Sequence, residues 1–312
     1  DDQGSFSDGE NRVIGDSGAM TATEIASSSN GLGGNDILTT GADRDVIIAG
    51  AGNDSITAGD GDNVLLGDAG SFDEVTLTSA LTSGDGNDTV SAGSGADWAI
   101  LGQGDDQATL SDGENRVIGD SGTMTATEIA SSSNGLGGND VITTGAQRDV
   151  IIAGAGHDSI TAGNGDNVIL GDAGSFDEVT LTSALTSGDG NDTVTAGSGA
   201  DWVILGQGDD QGSFGDGENR VLGDSGEMTA TEIASSSNGL GGNDVITTGA
   251  DRDVIIAGAG ADSVTAGNGD NVILGDAGSF DEVTLTSALT SGDGDDTVTA
   301  GSGADWAILG QG

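Results

Sequence analysis

The sequence predicts an all-β solenoid, a stack of very short strands, and three observations predict it. A nine-residue phrase recurs, as in GADRDVIIAGAGNDSITAGDGDNVLL at residues 41–66, close to G-x-G-x-D/N-x-U-x with U aliphatic. Glycine opens each phrase (Gly41, Gly50, Gly59), an acid or amide follows (Asp45, Asp54, Asn63), and an aliphatic residue stands two places on (Ile47, Ile56, Leu65). The pattern then repeats without a length change, so that residues 1–104, 105–208 and 209–312 are three nearly identical units.

Each part of the phrase has a physical task. Glycine admits the positive φ that a tight turn every nine residues needs. The residues after the acid alternate enough to form a short strand with one side chain inward. One carboxylate per turn then makes a column of oxygens, because stacked strands lie ~4.8 Å apart. Two like charges at that distance repel by about 1 kcal/mol even in water. A long column therefore calls for a cation between turns, and hard oxygen donors with nearby carbonyls suit calcium.

Along the chain, a shift of 52 residues lays GDNVLLGDAG (61–70) over GENRVIGDSG (113–122), so the chain is six half-units. Each runs three phrases in series, departs from the pattern, and rejoins it with a fourth. The departures are GDSGAMTATEIASSSNGLG (15–33) and GDAGSFDEVTLTSALTS (67–83), with their copies. Read as excursions leaving at a Gly-Asp turn, they show a strand-like alternation at Phe72, Val75, Leu77 and Leu81, and a poorer one at Met20 and Ile25. If an excursion forms two irregular rungs, a half-unit makes about three 18-residue turns and a 104-residue unit spans roughly 29 Å. The chain begins and ends in mid-pattern, which predicts a slice of a longer array. Val46-Ile47-Ile48, Val64-Leu65-Leu66 and Trp98-Ala99-Ile100-Leu101 are apolar at consecutive positions. Such strands need cover on both faces, from the excursions or from a neighbouring solenoid.

Composition bounds the function. The chain has 312 residues, 60 Gly, no Pro or Cys, and a formal net charge of -47. Composition alone reads as disordered, whereas the strict period predicts order. A chain unfolded without metal and folded with it satisfies both. The charge makes nucleic acid and anionic membrane surfaces poor partners. No run is long or apolar enough for a signal peptide or a membrane-spanning helix.

The pattern resembles the repeats-in-toxin (RTX, haemolysin-type) calcium-binding nonapeptide, G-G-x-G-x-D-x-U-x, a β-helix repeat. The resemblance implies a calcium-stabilised parallel β-roll, continuous through the three units, with ions held by turn carboxylates and carbonyls. This chain departs from the pattern where Thr40, Ala49 and Ala58 replace the first glycine, and where every third phrase carries Asn. The candidate ligands fall into three sets. The phrase acids are Asp36, Asp45, Asp54, Asp88, Asp97, Asp106, Asp140, Asp149, Asp158, Asp192, Asp201, Asp210, Asp244, Asp253, Asp262, Asp296 and Asp305. The phrase amides Asn63, Asn115, Asn167, Asn219 and Asn271 read either as neutral ligands or as amide ladders capping the turns. The exit-turn acids Asp68, Asp120, Asp172, Asp224 and Asp276 read either as ligands or as turn-stabilising Asx residues.

Other residues read more blandly. Arg12 and Arg44, once per unit, predict salt bridges, and Trp98 predicts packing. His157 is Asn53 and Ala261 in the sister units, which argues against zinc or catalysis. The pair Asp73-Glu74 lacks the cleft that glycosidase chemistry needs, and no EF-hand loop is present. Thr21-Ala-Thr23 and Thr76-Leu-Thr78 are too sparse for the flat threonine array of an ice-binding face. No enzyme activity is predicted. The expectation is a structural extender or filament-forming segment of a large secreted bacterial surface protein, similar to RTX adhesins, with calcium as partner and sister chains as a second. The alternatives are an adhesive module binding glycans or sister fibres, and an appendage of a secreted enzyme. Extracellular sites bind calcium at about 10⁻⁴–10⁻³ M, so the chain would stay threadable inside a cell and coil outside it.

Overall fold

A computed structural model describes residues 1–28, 32–79, 86–132, 137–183, 190–236, 241–287 and 294–311. The first twelve strands set the pattern: β1 (Gln3–Ser5), β2 (Arg12–Ile14), β3 (Gly18–Met20), β4 (Ile25–Ser27), β5 (Ile37–Thr39), β6 (Val46–Ile48), β7 (Ser55–Thr57), β8 (Val64–Leu66), β9 (Gly70–Phe72), β10 (Leu77–Ser79), β11 (Thr89–Ala92) and β12 (Trp98–Ile100). Copies of these complete three twelve-stranded sheets among the described residues.

Two of the sheets are wholly parallel and form the roll. The first stacks β1, β5, β7 and β11 and their copies in register. The second stacks β2, β6, β8 and β12. The chain alternates between them, so the roll is continuous through all three units. The middle residue of each short strand points inward, as Ile56 and Val90 do from the first sheet and Leu65 and Val117 from the second, and these residues form one closed core.

The third sheet is antiparallel and is built from the excursions. Strands β3–β4 and β9–β10 are hairpins that stack on one another, Ile25 opposite Phe72 and Leu77 opposite Met124. They lie against the outer face of the second parallel sheet. Val46, Ile48, Val64, Leu66 and Ile100 pack there with Ile25, Phe72, Leu77 and Met124 in a second core. The consecutive apolar residues are thereby explained: one face fills the roll and the other is covered by the chain's own hairpins. Leu81 lies outside the described residues.

The hairpins correct the count of turns. Successive turns are offset by 18 and 34 residues alternately, so a half-unit makes two turns, one plain and one carrying a hairpin. The excursion is not a pair of rungs because its strands bond to other hairpins. A 104-residue unit therefore spans four rungs, ~19 Å rather than ~29 Å.

Among the described residues the first parallel sheet has no such cover, and its outer face is mostly polar, with Ile37, Val141 and Val245 exposed among Ser, Thr and Gln. Its register sets Thr39, Thr57, Ser91 and Thr109 in one file. The sparse threonine pairs noted in the sequence belong to the hairpins instead, and the hydroxyl file comes from residues a full turn apart.

Turn glycines are required by close approach as much as by φ. Gly156 has φ +135, and a Cβ there would stand 1.9 Å from the Gly138 carbonyl oxygen of the turn below. Gly59 has no positive φ, yet its Cβ would lie 2.3 Å from the Gly41 oxygen. Stacked turns leave no room for a side chain at either place.

Candidate metal centre

The two edges of the roll are built from different residues. Where the chain passes from the second parallel sheet to the first, every turn ends in aspartate: Asp36, Asp54, Asp88, Asp106, Asp140, Asp158, Asp192, Asp210, Asp244, Asp262 and Asp296. Asp2 begins this column; a 104-residue shift of Asp106 finds it, and the phrase pattern alone does not. On the opposite edge, acids and amides alternate: Asp45, Asn63, Asp97, Asn115, Asp149, Asn167, Asp201, Asn219, Asp253, Asn271 and Asp305, headed by Asn11.

On the all-Asp edge, each backbone N–H donates to the carboxylate of the next rung. Asp140 donates to Asp158 Oδ1 at 2.8 Å, Asp158 to Asp192 Oδ1 at 2.8 Å, and Asp192 to Asp210 Oδ1 at 2.7 Å. The second oxygens of Asp140, Asp158, Asp192 and Asp210 are buried without a hydrogen-bond partner. Leaving a buried acceptor unmade is costly, and a charged one more so. A second ladder runs just outside: Asn53 N–H donates to Asn35 Oδ1 at 3.1 Å, and Asn191 N–H to His157 Nδ1 at 2.7 Å. The recurring Asn-Asp dipeptide was its only trace in the sequence, and His157 serves there as an acceptor in place of Asn.

The exit-turn acids join this edge. Asp120 Oδ2 accepts the N–H of Ala155 at 2.6 Å, and Asp16 Oδ2 that of Ala51 at 2.8 Å. These bonds brace the neighbouring rung. Asp140 feels the charges of Asp158 and Asp120, and Asp158 feels that of Asp120. Burial, then the charges of Asp158 and Asp106, push the Asp140 carboxyl well above the usual 3.8. Burial, then Asp158, Asp172 and Asp210, push Asp192 up to about 10. Asp244, buried and beside Asp210, also reaches about 10, and burial brings Asp158 to about 7.

All six arginines are engaged at hairpin tips: Arg12 and Arg44 bond Glu74, Arg116 and Arg148 bond Glu178, and Arg220 and Arg252 bond Glu282. Arg44 also lies 5.3 Å over the Phe72 ring. Glu74 is thus a clamp for the hairpin, and Asp73 Oδ1 caps its tip by accepting the N–H groups of Val75 and Thr76. Trp98 packs against the second core.

What remains beside the orphaned carboxylates is oxygen. A Cβ on Gly119 would fall 2.2 Å from Asp140 Oδ2 and 2.4 Å from the Ala153 carbonyl oxygen. Gly223 repeats this with Asp244 Oδ2 at 2.3 Å and the Ala257 oxygen at 2.2 Å. A carboxylate oxygen and a turn carbonyl converge at each such point, a donor set that fits a hard divalent cation. Among the described residues, no three acidic, histidine or cysteine side chains gather as a metal cluster. An ion here would draw on carboxylates and carbonyls together.

The alternating edge is quieter. Asn63 Oδ1 accepts the Asp45 N–H at 3.0 Å, while its Nδ2 donates to Gly59 O at 3.1 Å, Gly61 O at 2.9 Å and Asp97 Oδ1 at 2.9 Å. Three oxygens around one nitrogen fix the orientation of the amide. Asp97, Asp149, Asp201 and Asp253 are raised only to about 6, chiefly by burial.

Two stacked parallel sheets, glycine turns and an edge of buried carboxylates define a calcium-binding β-roll. Residues 39–71, 81–108, 91–123, 143–175, 186–222, 247–279 and 289–312 match the family described as RTX calcium-binding nonapeptide repeat (4 copies). The matches reach all three units and cover more than half of the chain, which belongs to this family; its repeats bind multiple calcium ions. No curated protein matches the chain.

Proposed function

We propose that the chain is a calcium-ordered extender of a secreted bacterial surface protein. The column acids and exit-turn acids of the all-Asp edge hold the ions, with turn carbonyls completing the coordination. The observation that carries the reading is the unbroken register of both parallel sheets across three interchangeable units. Such a body adds length with each copy and offers no unit a role of its own, which also favours a scaffold over an enzyme. Each rung touches only its neighbours, so stability grows along the stack. Coupling to export follows from charge. A chain at -47 repels itself where calcium is scarce and coils where calcium is abundant.

The hairpin sheet weighs against adhesion through the apolar strips, because those strips are covered by the chain itself. The uncovered first sheet leaves sister chains as a second class of partner for a filament. Small-angle scattering tests the extender reading. Two such chains fused in phase should lengthen the particle in calcium by ~58 Å, twelve more rungs. An increase in cross-section without that length would refute it.

A further inference from the structure

We propose that calcium loads the two edges of the roll unequally: the all-Asp edge binds it rung after rung, while on the alternating edge the asparagine side-chain amide stands in for the ion. This rests on the calcium reading above and specifies where that reading applies.

Chemistry at the two edges is the ground. In the half-unit holding Asp120, Asp140 and Asp158, the all-Asp edge carries three carboxylates, whereas the opposite edge carries Asp149 and the neutral Asn115. On the all-Asp edge, carboxylate and carbonyl oxygens converge at Gly119, Gly171 and Gly223. The Oδ2 atoms of Asp140, Asp192 and Asp244 at those points have no hydrogen-bond partner, and these residues are almost wholly buried.

On the alternating edge the turn carbonyls are already engaged. Asn167 Nδ2 donates to Gly163 O at 3.2 Å, Gly165 O at 3.0 Å and Asp201 Oδ1 at 3.0 Å. Asn219 repeats the set with Gly215 O, Gly217 O and Asp253 Oδ1. A cation lodged in these turns would need the same carbonyl oxygens and would have to displace an NH₂ group that bonds three oxygens at once. The amide supplies positive partial charge, spans from one rung to the next, and needs no ion. Asp201 keeps one buried oxygen without a partner, a single carboxylate in two rungs, where calcium usually takes several oxygens.

The test counts calcium ions per full-length chain by equilibrium dialysis and follows folding by circular dichroism. One variant carries Asn115→Asp, Asn167→Asp and Asn219→Asp, making the alternating edge all-acid from Asp97 to Asp253. It is expected to bind about one further ion per substitution and to need more calcium to fold. A second variant, Asp149→Asn with Asp201→Asn, makes the middle of that edge neutral and is expected to fold with an unchanged ion count. A fall in the count of the second variant, or no rise in a folded first variant, overturns the proposal. Should the first variant fail to fold even in excess calcium, the second decides alone. A natural chain that binds no calcium would defeat the calcium reading itself, a different result from equal loading of both edges.

Discussion

The two edges of this roll share a backbone and differ in one atom type. Where Asp158 carries its second carboxylate oxygen, Asn167 carries an NH₂ group. The amide finds three acceptors, while the carboxylate keeps a buried oxygen without a partner. Identical stacking geometry is therefore satisfied at the asparagine rungs of one edge, where Asp201 still keeps a buried oxygen without a partner, and is more frustrated on the all-Asp edge. The hairpins enter at alternate turns of the frustrated edge, and the arginines that could have relieved it are spent on their tips. A repeat fold can thus divide its dependence on solvent ions between its sides by choosing one side-chain atom.

The comparison can be broken or sharpened by substitution. The largest effect is expected away from both edges. Phe176→Ala opens the core between the hairpins and the second parallel sheet and should cost about 3–5 kcal/mol in a melt with calcium, with no change in ions bound. Lost ions would tie the hairpins to the metal edge. Asp192→Asn removes a carboxyl that the metal-free fold holds at about 10. It should favour the metal-free fold on the order of 3 kcal/mol and lower calcium uptake, as a gain of β signal in chelator and dialysis in calcium would show. Destabilisation in chelator would mean that the carboxylate is already satisfied without metal.

Acid should act in the same direction and more gradually. In the metal-free fold, burial raises Asp158 and Asp210 to about 7 from 3.8. The fold then holds more protons than the unfolded chain, so protonation stabilises it fully below 3.8 and that benefit disappears as pH rises to about 7. In chelator, β signal should therefore grow on acidification from about 7 to about 4; a decline would contradict the burial of these acids. The smallest effect belongs to Glu178→Ala. Glu178 pairs with Arg116 and Arg148 while remaining partly exposed, so its loss should cost at most about 1 kcal/mol. Hydrogen exchange should show loosening at the hairpin tip, and loosening at either edge would contradict its role as a clamp.

Much of the roll was legible because its period is strict. The Gly and Asp spacing around Asp45 and Asp54 fixed strand, turn and column, and the doubled apolar face of Val64-Leu65-Leu66 announced a covering layer. The hairpins were not legible as such. Strands β9 and β10 bond each other and hairpins from other turns, and a run of three residues carries no period long enough to distinguish a rung from a hairpin arm. That is why three turns were expected where two occur. The hydroxyl file of Thr39, Thr57, Ser91 and Thr109 was hidden for a related reason, since its members are 18 or 34 residues apart. That the Asn63 amide bonds the Gly59 and Gly61 carbonyls depends on where those carbonyls lie, which sequence does not supply.

Circular dichroism of the full chain with and without chelator, at fixed ionic strength, tests most directly whether calcium is what allows so acidic a chain to coil. A β signal that appears with calcium at about 10⁻⁴–10⁻³ M, collapses in chelator and is not restored by sodium is the expected result. The same spectrum in chelator and in calcium, or equal ordering by sodium, would contradict it.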